Sequence, residues 1–389
     1  MADKVSNPIE IARSNLQQVE RALNQIIIGR EEEIKLLLVA TIAQENIAYI
    51  GAHGTAKSYM VRNYAKLLNC SFAKYQFTKF TSDIEVLGVF DIPKLVKEGE
   101  LIRKLSKLFK ADIAYLDEAF KASSAILNAL LSALQEHVIY DPITGQEHEV
   151  TTKVFIVTSN EVPQEEDLQA LYDRFPIRVF VRYLDDDAMI LRALEARWLN
   201  NNGNIQPIAS WNDVQILQEY ALRILRSEIK GLGKFITIYH STSVPFIKSL
   251  RSKGIIVSDR TIIEKLPKLI ASYCSLYGLT VDNIVNSILD FLPHLGKDEQ
   301  EYNEIKNTLI NELGEVAELH DKLQSAKASA KSGNLDQALS RLEEIMTFDI
   351  NKLASKPWLK SRIEVIMKEA KTLYEKYSEI KRTLEEMAR

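Results

Sequence analysis

The feature that most constrains the fold of this chain is the stretch GAHGTAKS at residues 51–58, together with the segments on either side of it. Residues 47–50 are apolar and predict a short β-strand, and residues 57–68 have the spacing of a helix. A strand, a glycine-rich loop and a helix in this order are the setting of a phosphate-binding loop. Taken alone, the stretch is also compatible with a chance turn, and its flanks favour the phosphate loop.

Several residues of this loop suit the binding of a nucleotide. Gly51 and Gly54 permit the backbone dihedrals and the close approach that a phosphate cradle demands. Lys57 supplies a cation for the β- and γ-phosphates, Ser58 supplies a hydroxyl for Mg²⁺, and the following helix points its N-terminal dipole at the anion. The residues expected to contact the nucleotide are Gly51, Ala52, His53, Gly54, Thr55, Ala56, Lys57 and Ser58.

Ala56 departs from the usual pattern, which has a glycine directly before the lysine. Alanine is a better helix former than glycine, so we expect the helix to begin at this position without strain. His53 lies inside the same loop, where an exposed side chain without a role is the simplest interpretation. Neither residue removes a group on which phosphate binding depends.

Four further apolar segments predict strands, and the intervals between them have room for helices. These segments are residues 72–77, 112–118, 153–160 and 177–184. Alternating strands and helices predict a parallel α/β sheet, which binds ligands at the carboxyl ends of its strands. Residues 101–109 are predicted to be helical.

The rest of the chain is predicted to be helical, which gives three domains over residues 1–184, 185–295 and 296–389. The last of them carries a stripe of apolar residues at alternating steps of four and three. The stripe consists of Leu359, Ile363, Ile366, Ala370, Leu373, Tyr377, Ile380 and Leu384. Such a stripe packs on another helix, and we favour an intramolecular hairpin or bundle over an intermolecular coiled coil.

The segment IAYLDE ends a predicted strand in two acids, Asp117 and Glu118, 60 residues after Lys57. An acid at the tip of a buried strand holds Mg²⁺, directly or through water, and we assign this role to Asp117. Because neighbouring strand residues point to opposite sides, Glu118 reaches the site from another direction and is the candidate to activate or orient an attacking water. The alternative, two solvated acids, is disfavoured by the upstream loop.

Three more polar residues are candidates for the same site. Asn160 closes the fourth strand and suits a hydrogen bond to the attacking water or to the γ-phosphate, although turn chemistry also explains it. Arg174 precedes an apolar strand and is a candidate to stabilise charge in a neighbouring subunit's site, with a solvated or salt-bridged arginine as the alternative. Arg260 falls in the first turn of a predicted helix, where a cation opposes the dipole, so we favour a ligand contact.

Composition argues against several other functions. The 389 residues have a net charge of -4 and no long basic run, which disfavours nucleic acid as the main partner. No apolar run reaches the roughly 18 residues of a membrane span, and the N-terminus has no apolar signal core, so a cytoplasmic location is predicted. The two cysteines, Cys70 and Cys274, are expected to be free thiols.

Taken in order, GAHGTAKS, IAYLDE, TSN, LYDRF and SDRT resemble the motifs of the AAA+ ATPases, specifically of the MoxR family, over about residues 8–292. The AKS ending of the loop and the string LQALYDRFPIR look most like the RavA-like branch, in which alanine before the lysine is usual. His53 stands where relatives commonly have proline. The resemblance implies an AAA+ P-loop α/β domain followed by an α-helical lid domain, and the C-terminal helices lie outside it.

The resemblance also implies a role for each acidic and phosphate-binding motif residue. Lys57 and Ser58 match the end of the Walker A motif, and Asp117 and Glu118 match the Walker B pair. ATP and Mg²⁺ are the ligands that such a site takes. Asn160 matches the residue called sensor 1.

By the same resemblance, Arg174 matches the arginine finger and Arg260 matches sensor 2, while Ile28 and Gly29 are placed by the adenine. Residues 88–104 look like the family's insert within helix 2, and residues 137–150 look like the hairpin before sensor 1. In relatives, these two projections face the central pore of a ring.

The function that these observations favour is Mg-dependent ATP hydrolysis by a ring-forming, chaperone-like motor that remodels or activates a partner protein. Family members usually form hexamers and often work with proteins that carry a von Willebrand factor A (vWA) domain. A nucleotide-gated scaffold with little turnover is one alternative, which Glu118, Asn160 and Arg174 disfavour. A DNA-linked AAA+ motor is another, which the acidic balance disfavours.

Overall fold

The structure is a computed structural model, and it describes residues 7–141, 143–199, 205–229, 235–331, 334–350 and 357–387. The elements up to the last strand are α1 Pro8–Ile26, α2 Glu31–Ala43, β1 Ile47–Ile50, α3 Lys57–Leu68, β2 Phe72–Gln76, α4 Asp83–Leu87, α5 Ile92–Glu98, β3 Ile113–Asp117, α6 Ser124–Glu136, β4 Val138–Tyr140, β5 Glu147–Glu149, β6 Val154–Ser159, α7 Glu166–Tyr172 and β7 Ile177–Phe180. The later helices are α8 Asp187–Trp198, α9 Trp211–Leu225, α10 Phe235–Ser252, α11 Leu266–Tyr277, α12 Val281–Phe291, α13 Glu299–Lys331, α14 Leu335–Met346 and α15 Pro357–Met387.

The central element is a five-stranded sheet with the order β2-β3-β6-β1-β7. Every neighbouring pair in it is parallel, and the five strands are the five that the sequence predicts. In the register, Asp117 at the end of β3 lies opposite Thr158 of β6 and Gln76 of β2. The predicted parallel α/β sheet is therefore confirmed, and the ends of its central strands meet at one edge.

The apolar strands are held by burial against helices. Leu116 of β3 and Val157 of β6 are fully buried in one cluster with Ile126 and Leu130 of α6. Each such side chain contributes about 1.5–3 kcal/mol when it is removed from water. The strand ends that carry the polar residues are thereby fixed relative to one another.

Outside the five-stranded sheet, residues 88–104 contain α5, and β4 and β5 pair as an antiparallel hairpin within residues 137–150. Arg103 pairs with Phe90 across an antiparallel bridge, and its buried side chain forms an ion pair with Asp141 at 2.7 Å. The predicted helix over residues 101–109 is wrong, because residues 101–106 are not helical and only Lys107–Phe109 forms a 3₁₀ turn. The bridge and the ion pair of Arg103 require an extended backbone there.

The described chain divides into two compact units. One comprises Met1–Ile236 and Ile255–Tyr302, and the other comprises Thr237–Gly254 and Asn303–Arg389. The division at residues 184 and 295 stays a prediction. Helix α10 contains Pro245, which removes one backbone donor within the helix.

The apolar stripe of α15 is buried within its own chain in its middle part, whereas Ile380 is exposed. Ile363, Ile366 and Ala370 are buried in a cluster with Leu323 of α13 and Leu342 of α14. The predicted intramolecular bundle is confirmed for this part of the stripe. The side chains of Leu359 and Leu384 lie outside those that the structure describes. Among the described residues, no helix has both the length and the apolar character needed to cross a membrane.

Candidate nucleotide site

A cavity of about 680 Å³ lies at the carboxyl ends of β1, β3 and β6, and we call it the P-loop cavity. It is lined by His53, Gly54, Thr55, Ala56, Lys57, Ser58, Tyr59, Gln76, Phe77, Thr78, Lys79, Phe80, Asp117, Glu118, Lys121 and Asn160. The structure thus brings most of the predicted loop residues together with the acids of IAYLDE and with Asn160.

Glycines are needed in the loop for two different reasons. A Cβ atom on Gly51 would lie 2.1 Å from the Val181 carbonyl oxygen, so only glycine fits where the loop passes β7. Gly54 has φ of +80°, in the left-handed region, and no atom of the described residues lies within 4 Å of the place of its missing Cβ. The Thr55 hydroxyl closes the turn by donating to the Ala52 carbonyl at 2.9 Å.

Ala56 does not begin the helix. It has φ of 66° and ψ of 12°, and α3 starts only at Lys57. The expectation of a helix start without strain is therefore wrong. A left-handed backbone costs a residue with a Cβ about 1–2 kcal/mol, and the loop adopts it because alternating backbone hands turn successive N–H groups toward one point.

The Lys57 ammonium group folds back over the loop. It donates to the carbonyl oxygens of Gly51 and Ala52, the latter at 2.8 Å, and lies 3.2 Å from Thr55 Oγ1. Burial lowers the pKa of Lys57, against the opposing effect of Glu118 and Asp117. The ammonium group is thus held at the loop, and the carboxylates of Glu118 and Asp117 are close enough to interact with its charge.

Ser58 and Asp117, the two candidate ligands for Mg²⁺, are joined by a residue that the motifs do not include. The Tyr115 hydroxyl lies 2.7 Å from Ser58 Oγ and 3.1 Å from Asp117 Oδ1, and the Thr158 hydroxyl donates to Asp117 at 2.8 Å. Ser58 Oγ itself is 3.5 Å from Asp117 Oδ2. Burial raises the pKa of Tyr115, so its hydroxyl stays protonated. The groups are all oxygen donors, as Mg²⁺ prefers.

Asp117 also has a cation beside it. Lys74 of β2 forms an ion pair with Asp117 Oδ2 at 2.8 Å and lies over the Tyr115 ring. Burial acts to raise the pKa of Asp117, but the bonds from Lys74 and Thr158 outweigh it, and the pKa lies below its usual range. Asp117 is therefore ionised, as a metal ligand must be.

Glu118 is held in a strained position. Its φ is 57°, in the left-handed region, which costs a residue with a Cβ about 1–3 kcal/mol and is typical of functional sites. Its carboxylate accepts a hydrogen bond from Asn160 Nδ2 and pairs with Lys121 at 3.3 Å. The side chains assigned to water activation and to sensor 1 are thus in direct contact.

Ile28 and Gly29 do not line the P-loop cavity. Ile28 lines a separate cavity of about 470 Å³ that Arg192 and Leu199 also line. A Cβ on Gly29 would lie 2.6 Å from Leu184, so this glycine lets the chain pass close to the segment before α8. Their placement by the adenine stays a prediction.

A second cavity, of about 420 Å³, is rich in basic residues, and we call it the arginine cavity. It is lined by Leu134, Gln135, Asp173, Arg174, Pro176, Arg178, Ile256, Val257, Ser258, Arg260, Thr261, Lys265, Leu295 and Lys297. Both arginines assigned to catalysis, Arg174 and Arg260, line this cavity, and neither lines the P-loop cavity.

The two arginines of LYDRFPIRVF have different surroundings. Arg178 is buried, pairs with Asp173 at 3.0 Å, donates to the Leu295 carbonyl at 3.0 Å and lies over the Tyr172 ring. Arg174 is half-buried, and its Nε is a buried atom with no hydrogen-bond partner in the described structure. The Nε of Arg178 is likewise buried and without a partner, so the difference lies in the other nitrogens. Those of Arg178 hold Asp173 and the Leu295 carbonyl, which gives it a structural role, whereas no ion pair of Arg174 occurs among the described residues.

Arg260 precedes a π-helical turn at Thr261–Lys265 and pairs with Glu264 at 3.0 Å. This ion pair within the same helical segment supplies a partner that the sequence argument did not foresee. The unfavourable position of Arg260 near the helix start is thus compensated locally, and it no longer points to a ligand by itself.

A family model described as the MoxR domain in the MoxR-vWA-beta-propeller ternary systems matches residues 14–219. The matched range is more than half of the chain and contains the whole P-loop cavity together with Arg174. The chain belongs to the MoxR family of AAA+ ATPases. The predicted family is confirmed at this level, and nucleotide binding is a property of the family.

Several relatives match this chain over different lengths. An uncharacterized protein of Methanocaldococcus jannaschii is 29% identical over 391 residues, which cover 94% of this chain and 98% of the relative. A second uncharacterized protein of that organism is 30% identical over 73% of this chain and 70% of its own length. The chaperone MoxR1 of Mycobacterium tuberculosis is 22% identical over 54% of this chain and 60% of its own length.

A solved structure shares the fold of this MoxR-family chain. It is a crystal structure from Cytophaga hutchinsonii described as "a putative ATPase", with a TM-score of 0.57 and 22% identity, and the match covers 74% of this chain and 88% of that one. At this identity the likeness supports the fold alone.

Proposed function

We propose that this MoxR-family chain hydrolyses ATP and uses the hydrolysis, as part of a ring, to remodel or activate a partner protein. The observation that carries the proposal is the separation of the two cavities. The P-loop cavity has the residues that bind phosphate and orient water, while Arg174 lines the arginine cavity. Each subunit therefore needs the arginine of a neighbour.

Within one subunit, four side chains divide the chemistry. Lys57 binds the β- and γ-phosphates of ATP, since it lies at the loop carbonyls beside the cavity. Glu118 orients the attacking water and takes its proton, and Asn160 holds the carboxylate. Ser58 and Asp117 would hold Mg²⁺, which when bound neutralises charge on the phosphate oxygens.

Arg174 supplies the charge that this set lacks. Negative charge spreads over the transferring phosphoryl group in the transition state, and an arginine from a neighbour stabilises it. Arg174 lines the arginine cavity and forms no ion pair among the described residues, which leaves its guanidinium charge for this contact. Arg260 lines the same cavity and is proposed to act on the same neighbouring nucleotide.

Mixing two inactive variants tests the division of the site between subunits. Lys57→Ala removes phosphate binding, and Arg174→Ala removes the shared arginine, so each alone should lower the rate of phosphate release by about 10³-fold or more. In mixed rings, an intact P-loop of an Arg174→Ala subunit meets the intact arginine of a Lys57→Ala subunit. We expect the mixture to recover a measurable fraction of wild-type turnover.

Two results would contradict this scheme. Full activity of Arg174→Ala at high protein concentration would remove the arginine from catalysis, and a mixture as inactive as its parts would place both cavities in one subunit's site. A double variant carrying both changes is the control, because mixing it with either parent restores no complete site. Absence of phosphate release by the wild type would favour the scaffold, and stimulation by DNA would favour the DNA-linked motor.

The finer assignments are part of the proposal. A hexameric ring, a vWA-domain partner, a cytoplasmic location and membership of the RavA-like branch all come from the resemblance, and the vWA partner also agrees with the description of the matching family model. Affinity capture with Glu118→Gln in ATP tests the partner, since we expect this variant to bind ATP and to hydrolyse it slowly. A vWA-domain protein enriched over a Lys57→Ala control would support it.

A further inference from the structure

His53 lies in the P-loop and is held at two points. Its carbonyl oxygen accepts a hydrogen bond from the Tyr183 hydroxyl at 3.0 Å, and its ring Nε2 lies 2.8 Å from Asn160 Nδ2. Tyr183 follows β7, whereas Asn160 follows β6. An exposed loop side chain gives up rotamer freedom to be held in this way. His53 therefore has a defined position, which the interpretation of a free loop residue does not explain.

The contact with His53 fixes the direction of the Asn160 amide. The amide nitrogen carries two hydrogens, and two acceptors face it, Glu118 Oε1 and His53 Nε2. A neutral imidazole accepts through Nε2 when its proton is on Nδ1. A reversed amide would point its oxygen at the carboxylate and at the imidazole acceptor, so the two contacts together select one orientation.

The orientation of Asn160 in turn fixes Glu118. The carboxylate is held between Asn160 on one oxygen and Lys121 on the other, at 3.3 Å. If the amide were free to turn, the hydrogen bond from Asn160 to the Glu118 carboxylate would be lost. His53, Asn160 and Glu118 thus form one hydrogen-bonded series from the phosphate loop to the candidate general base.

We propose that His53 is a positioning residue for ATP hydrolysis, which keeps the Asn160 amide directed at Glu118 and so keeps the carboxylate aligned for the attacking water. This inference rests on the proposed function. It replaces the expectation that His53 contacts the nucleotide, because the Nε2 acceptor is already used by Asn160. His53 then acts on kcat and leaves nucleotide affinity unchanged.

Two variants of His53 distinguish the effect of losing its hydrogen-bond acceptor from the effect of replacing its side chain. His53→Leu removes the acceptor, and we expect kcat for ATP to fall about three- to tenfold, as for the loss of one hydrogen bond, with KM within about twofold. His53→Gln carries an amide oxygen at a similar reach, and its kcat should stay within about twofold of the wild type. His240→Leu, the same change at an exposed position of α10, is the matched control and should have no effect.

A double-mutant cycle shows whether His53 acts through Asn160. In an Asn160→Ala background, His53→Leu should cause no further fall in kcat, since the group that it holds is gone. Additive losses, a kcat of His53→Leu equal to that of the wild type, or a His53→Gln variant as slow as His53→Leu would each overturn the proposal. So would a weaker Kd for a fluorescent ATP analogue with unchanged kcat, which would make His53 a nucleotide contact.

Failure of the proposed function gives a different result. If the wild type releases no phosphate, hydrolysis is absent, and the side-chain amide signal of Asn160 in ¹⁵N-asparagine-labelled protein takes the place of kcat. That signal is assigned by its loss in Asn160→Ala. It should move in His53→Leu and stay near its wild-type position in His53→Gln, and an unmoved signal in His53→Leu would refute the contact.

Discussion

The P-loop cavity and the arginine cavity use their charged side chains in opposite ways. In the P-loop cavity, Lys57 is held by the loop carbonyls and Glu118 by Asn160 and Lys121. In the arginine cavity, Arg178 is committed to Asp173, but no ion pair among the described residues involves Arg174. The first cavity is arranged to receive a nucleotide, and the second keeps a cation for use elsewhere. Under the proposed function, each cavity is half of a site.

The largest effect on stability should separate the two arginines of the second cavity. Arg178→Ala leaves the Leu295 carbonyl without its donor and removes the pair with Asp173, so we expect the free energy of unfolding to fall by about 2–3 kcal/mol. Arg174→Ala should change it by less than about 0.5 kcal/mol. Urea unfolding followed by circular dichroism measures both. A larger loss of stability in Arg174→Ala than in Arg178→Ala would assign the structural role to Arg174 and would contradict the difference drawn between the two arginines.

A smaller effect is expected in the P-loop cavity from Tyr115→Phe. The hydroxyl holds Ser58 and Asp117, so its loss should raise the Mg²⁺ concentration for half-maximal ATP hydrolysis by about tenfold, as for other groups that support metal ligands. Tyr49→Phe is a matched control, since it removes a buried hydroxyl that donates to the Glu33 carbonyl and leaves the candidate ligands untouched. An unchanged Mg²⁺ requirement in Tyr115→Phe would show that the tyrosine hydroxyl does not support the metal ligands.

The smallest effect should come from Ala56→Gly. Glycine adopts φ of 66° without the steric cost of a Cβ, so the variant should be more stable by up to about 1 kcal/mol, with kcat within about twofold. Ala193→Gly in the right-handed helix α8 should instead lower stability by about 0.5–1 kcal/mol. Urea unfolding of both variants measures the two changes in the free energy of unfolding, which should have opposite signs. A loss of stability in Ala56→Gly would show that the left-handed backbone is not strained there.

The sheet and the neighbourhood of the site could be predicted because both depend on local pattern. Apolar runs identified the strands, and since the ends of parallel strands meet at one edge, Lys57, Asp117 and Asn160 were expected together. Period-two alternation also places Tyr115 on the same face as Asp117. Its contact with Ser58 depends on how far α3 lies from β3, which no local pattern contains.

Other features depend on register and on backbone geometry. Lys74 reaches Asp117 only because of the pairing of β2 with β3, which the sequence does not specify. The expectation for Ala56 was wrong because helix propensity describes the interior of a helix, and this residue lies just before one. His53 looked unimportant because its partner is 107 residues away in sequence. The catalytic roles of these residues stay predictions until the variants are measured.

The buried pair of Arg103 and Asp141 has a mechanical consequence. Arg103 also donates to the Gly88 carbonyl at 2.8 Å, and although burial acts to raise the pKa of Asp141, the hydrogen bond from Arg103 lowers it to about 2. Separating such a pair leaves a buried charge uncompensated, at a cost of about 3–5 kcal/mol. The end of the insert at 88–104 is therefore joined to the turn of the β4–β5 hairpin, and moving one away from the other carries this cost.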